Sequence, residues 1–155
     1  YDSSDITKHP VPEASKQLAA TAKVIVSSNL PRALTSVQAL GLKPALVDGL
    51  FREAPLPYGH WRLPRLSPFV WAFILRILWL WGYSHGVESV GTAKRRASTA
   101  AQRLQSLASE GPVLLLGHGF MNRMIARQLE ADGWTRQTGN GSQYWSATVY
   151  QNDSI

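Results

Sequence analysis

Val113-Leu114-Leu115-Leu116-Gly117-His118-Gly119 is a short apolar run that ends in a histidine between two glycines, and Phe120-Met121-Asn122-Arg123-Met124-Ile125-Ala126 follows it. The apolar residues read as a buried strand, and the segment after them has helical spacing. Gly117 and Gly119 allow the backbone to come close to a ligand, so the imidazole of His118 and the N–H groups of a helix start converge on one point. Such a point suits a phosphate group. The same residues also describe a histidine satisfied at a tight strand-to-helix turn, and the rest of the chain has to separate the two readings.

Working toward the amino terminus, Gly111-Pro112 closes a long amphipathic pattern between Glu88 and Glu110. There Val90, Ala93, Ala97, Ala100, Leu104 and Leu107 recur at helical steps. A second strand-to-helix turn lies further upstream. Lys23-Val24-Ile25-Val26-Ser27 reads as a buried strand, Ser28-Asn29-Leu30-Pro31 offers polar caps and a first-turn proline, and Arg32 to Leu40 continues as a helix ended by Gly41. Glu13 to Ala22 is a further helix, and Ala45-Leu46-Val47 another short strand. In Phe51-Arg52-Glu53-Ala54-Pro55-Leu56-Pro57 the prolines interrupt regular structure and leave Glu53 as an isolated loop carboxylate. Downstream, a helix from about Phe120 to Ala131 and a final strand from Tyr144 to Tyr150 complete the pattern. Strands alternating with helices across short connections predict an α/β sandwich with ligands at the carboxyl ends of its strands. Both sharp turns, at Ser28 and Gly117, fall there.

The chain has 155 residues, the length of a single domain with one sizeable core, and no internal repeat or low-complexity segment. Hydrophobic residues make up 45% and charged residues 17%, the balance of a folding chain. Its formal charge of +6 suits an anionic ligand. Nucleic acid is disfavoured, because the basic residues are scattered and the one cluster, Lys94-Arg95-Arg96, lacks interleaved aromatics and reads as a solvated helix face. There are no cysteines, which excludes disulfides, thiolate metal ligands and cysteine nucleophiles. Nor does any metal-ligand spacing stand out. No signal-peptide pattern follows Tyr1, and a cytoplasmic location, with peripheral membrane contact as an addition, is the expectation.

Phe69 to Trp81 stands apart, since Arg76 is its one polar residue. It is too short for a spanning helix, which needs about 20 apolar residues. A packed helix, a lid, a homodimer contact or a weak membrane contact through residues 69–81 are its readings, with packing or dimerisation first.

Taken together, Ser27-Ser28-Asn29-Leu30-Pro31-Arg32-Ala33, Leu50-Phe51-Arg52-Glu53, Gly86-Val87-Glu88-Ser89 and Leu116-Gly117-His118-Gly119 resemble, in order and spacing, the histidine phosphatase superfamily, in its phosphoglycerate mutase-like branch. The resemblance runs from about Val24 to Ala131. It implies a three-layer α/β sandwich with a mostly parallel central sheet, and a single domain over residues 1–155 in which 55–85 is an insert or lid. The function it implies is a phosphoric-monoester hydrolase that works through a phosphohistidine and uses neither metal nor other cofactor. Its partner would be a small phosphorylated substrate or inorganic phosphate. Arg32 matches the family's phosphate-binding arginine, Glu53 the proton donor, and His118 with Gly119 the second half of the pocket. The chemistry suits each residue. Arg32 can give a phosphoryl group two parallel charge-assisted bonds, His118 can donate to a further oxygen as charge spreads in the transition state, and Glu53 can protonate the leaving oxygen and then take a proton from water. Taken singly, Arg32 would be a surface helix residue and Glu53 an ordinary loop carboxylate.

One element of the family pattern is missing. The nucleophilic histidine belongs to an Arg-His-Gly motif at the end of a first strand, and the 155 residues contain no such motif. His9, His60 and His85 lack the strand context and read as loop histidines. The chain is therefore expected to be truncated at its front, to lack the first strand, and to be inactive as it stands. A non-catalytic phospho-ligand binding or interaction module and a phosphomutase are the competing functions.

Overall fold

Three β-branched residues in succession, Val24-Ile25-Val26, favour extended backbone. In the computed structural model, which describes residues 10–57, 67–139 and 145–153, they begin the central strand of a parallel sheet. This strand, β1 (Val24–Ser28), lies between β2 (Leu46–Asp48) and β3 (Val113–Leu116) in the order β2-β1-β3. Val26 stands opposite Leu46 on one side and Leu115 on the other, and Ser28 opposite Asp48. Because all three strands point the same way, Ser28, Asp48 and the Gly117-His118 turn meet at one edge of the sheet.

The described helices are α1 (Glu13–Ala20), α2 (Pro31–Ala39), α3 (Pro68–Leu80), α4 (Val90–Ala108) and α5 (Gly119–Ala131). The chain divides into two compact units, residues 1–53 with 97–155 and residues 54–96. The first unit holds the sheet. Its buried residues come from β1 and the helices at the expected period: Ile25 and Val26 from β1, Ala33 and Val37 from α2, Ala97, Ala100, Ala101 and Leu104 from α4, and Met121, Ile125 and Leu129 from α5. The alanines on α4 keep its buried face small and so permit close packing. A final pair of strands, β4 (Thr135–Thr138) and β5 (Val149–Gln151), runs antiparallel. The sequence pattern did not indicate β4, and β5 is shorter than the strand expected from Tyr144. Residues 140–144 lie outside the described ones, as do His9 and His60.

In the second unit, Trp79 of α3 is buried and its indole N–H donates to the Glu88 carbonyl at 2.7 Å. Arg96 departs from the solvated helix face expected of the Lys94-Arg95-Arg96 cluster. Its guanidinium reaches the two Glu88 carboxylate oxygens at 3.0 and 2.7 Å, with both side chains nearly buried. Pairing in this forked geometry is what makes burial of the two charges tolerable. No described helix is long and apolar enough to cross a membrane.

Candidate functional site

β1 ends in Ser27 and Ser28, two hydroxyl residues that are fully buried. A buried hydroxyl needs partners. Ser28 Oγ accepts the Leu30 N–H at 3.2 Å and lies 3.1 Å from His118 Nε2. The Leu30 bond also bears on α2. Leu30, not a polar residue, is the N-cap of that helix and makes no side-chain cap, while Pro31 at its first position has no N–H to satisfy. The expected polar caps thus serve the loop before the helix. Arg32 follows on the first turn of α2 and is half-buried.

β3 delivers His118 at its carboxyl end, where the residue is the N-cap of α5 with extended backbone and makes no side-chain cap bond. The imidazole is thereby left to face Ser28. Capping comes instead from a residue far away in the chain: Glu53 Oε1 accepts the Met121 N–H at 3.0 Å and Oε2 the Phe120 N–H at 3.2 Å. These are orphan donors of the first helical turn, and a carboxylate there is further stabilised by the helix dipole. The N–H of Gly119, an exposed residue at the first position of the helix, has no partner among the described residues. A Cβ on Gly117 would run into the buried amide oxygen of Asn122, whereas a Cβ on Gly119 would meet nothing within 4 Å.

Burial holds the His118 ring below the ordinary histidine value; the Glu53 carboxylate pulls it up, and the Arg32 guanidinium pushes it down. Desolvation dominates, so the ring is biased toward its neutral form. Of the three residues singled out in the sequence, Arg32 and Glu53 therefore both act electrostatically on His118, and all three belong to the first unit. Ser28 and Asn122 were not singled out. Ser28 was within the quoted motif, but its contact with His118 bridges 90 positions. His85 is not part of this group: it is exposed and stacks on Tyr83 in the second unit, with ring centroids 6.4 Å apart.

Known structures share this architecture. One is the product of open reading frame Rv3214 from Mycobacterium tuberculosis, which is 20% identical with a TM-score of 0.54, the match covering 87% of this chain and 76% of that one. Another, described as mycobacterial hydrolase 1, is 22% identical with a TM-score of 0.52, covering 89% of this chain and 79% of its own. Mycobacterial hydrolase 2 is also 22% identical, with a TM-score of 0.51 and coverage of 90% and 73%. At these identities the likeness is one of fold. No curated protein matches the sequence. The family model of the histidine phosphatase superfamily, branch 1, matches residues 12–151. With nearly the whole chain matched and the parallel sheet in place, this protein belongs to the histidine phosphatase superfamily.

Proposed function

We propose that the carboxyl edge of the parallel sheet is a phosphate pocket of the phosphoric-monoester hydrolase type. The observation that carries this reading is the convergence of Ser28, Arg32 and Glu53 on His118 at the start of α5. Arg32 would take two phosphoryl oxygens in a planar fork. His118, near neutral when the pocket is empty, would gain a proton as the anion arrives and then donate to a third oxygen. The Gly119 N–H at the helix start would supply a further donor.

In the hydrolase reading, Glu53 protonates the leaving oxygen and afterwards deprotonates water. A phosphohistidine divides the displacement into two in-line transfers. The nucleophile would come from a strand laid on the outer edge of β3, which pairs with no described strand and whose residues are each only partly buried. These 155 residues contain no Arg-His-Gly to fill that role, so the chain as it stands is proposed to hold phosphate without turning it over.

One observation favours a second reading, a non-catalytic phospho-ligand module. Both Glu53 oxygens are occupied by the helix N–H groups, and the carboxyl would have to release at least one of them to meet a leaving group. Titration calorimetry with inorganic phosphate, alongside hydrolysis of a simple aryl phosphate, tests the proposal. Saturable binding without turnover is expected. Arg32→Ala should weaken binding by about 30- to 150-fold, the equivalent of some 2–3 kcal/mol of charge-assisted bonding. Equal binding in that variant would remove Arg32 from the pocket, and absence of binding in the unmodified chain would sink the proposal.

A further inference from the structure

Six apolar side chains stand exposed on or just after α3: Phe69, Val70, Phe73, Ile77, Leu80 and Trp81. At about 100° per residue, all six fall within one sector of roughly 120°, and the buried Trp79 lies across the helix from them. Arg76, the one charge of the helix, borders this sector, about 20° outside it. Arg76 is engaged within its own unit, donating to the Ala54 carbonyl at 3.2 Å and lying 5.2 Å over the Trp79 ring.

We propose that this stripe is a self-docking surface, on which a second copy of the chain seats its own α3 about a two-fold axis. Its size fits. Phe69, Phe73 and Trp81 are 75%, 67% and 86% exposed, and aromatic residues of about 150–250 Å² each, together with the three aliphatic ones, give on the order of 700 Å² per copy. Two copies would bury about 1,400 Å², inside the range of stable interfaces and beyond the apolar patch of an ordinary monomer. Its chemistry fits as well. A two-fold contact sets each patch against itself, so a patch carrying charge of one sign would meet that same sign. In a chain of net charge +6, this stripe carries none. A lipid surface matches less well, because a helix lying in a membrane interface presents Lys and Arg on its polar face, and the only basic residue of α3 is turned to Ala54 and Trp79.

Sedimentation velocity of the 155-residue chain over a range of concentrations tests this, with Phe73→Asp as the disrupting variant. Reversible dimerisation of the unmodified chain and a monomeric Phe73→Asp with unchanged circular dichroism are expected. Because the chain has no cysteine, Phe73→Cys should be joined into dimers by a short bis-maleimide, and Val47→Cys, exposed on the first unit, should not. A monomer at every concentration, a dimer that survives Phe73→Asp, or a dimer that Phe73→Cys does not cross-link would each overturn the proposal. So would a monomer that floats with phosphatidylserine vesicles and loses that binding in Phe73→Asp.

Discussion

Glu53→Gln removes the charge that closes the start of α5 while keeping the side chain's length. In the native chain both carboxylate oxygens accept a backbone N–H, from Met121 at 3.0 Å and Phe120 at 3.2 Å. Glutamine has one acceptor, so one of these N–H groups would meet an amide that is itself a donor. Losing that bond costs about 1–2 kcal/mol in a half-buried position, and losing the carboxylate at the positive end of the helix dipole adds about 0.3–1 kcal/mol. The expected destabilisation is therefore about 2 kcal/mol, or a fall in Tm of some 4–8 °C for a domain of this size. Glu53→Ala, which lets water reach both N–H groups, should cost no more than the glutamine variant. Urea unfolding followed by tryptophan fluorescence gives the stability, and amide exchange at Phe120 and Met121 shows whether the loss is at the cap. The His118 ring should titrate at lower pH in both variants, since the Glu53 charge raises it. A change in stability below about 0.5 kcal/mol with unaltered exchange at both amides would refute the capping argument.

Gly117→Ala should destabilise by about 1–3 kcal/mol through overlap with the buried Asn122 amide; in urea unfolding the penalty should shrink when Asn122→Ala is added, and purely additive losses would contradict the contact. His118 binds its proton less readily when folded than its ordinary value of 6.5 implies, so the unfolded chain takes up more protons between those two pKa values and stability must fall as pH drops through that window. Its contribution is complete above about 6.5, lost progressively below it, and level once the folded pKa is passed. Unfolding series on the native chain and His118→Gln should differ in slope there, and equal slopes would contradict the burial of the ring.

The sheet was legible where residues declare their backbone: Val24-Ile25-Val26 and Val113 to Leu116 are strands in the sequence pattern and in the structure. The alanine and leucine positions of α4 likewise mark a buried helix face. β4 was not legible because Thr135-Arg136-Gln137-Thr138 is polar and exposed at every position, so no alternation marks it. Arg32, Glu53 and His118 could be named in advance through the family pattern, but the work of Glu53 as the cap of α5 could not. That cap joins residues 67 and 68 positions apart, and local spacing carries no trace of it. The Glu88–Arg96 pair was hidden for a different reason: a run of three basic residues looks solvated until one of them proves to be turned inward against a carboxylate. In α3, a sequence apolar on every side cannot say which face is covered, and only the burial of Trp79 assigns it.

The most direct measurement of the central claim is an NMR titration of the His118 ring with and without inorganic phosphate. If the carboxyl edge of the sheet holds the anion, phosphate should shift the His118 resonances saturably and raise the pKa of a ring that burial otherwise keeps low. Resonances and a pKa of His118 that do not respond to phosphate would contradict a phosphate pocket at this site.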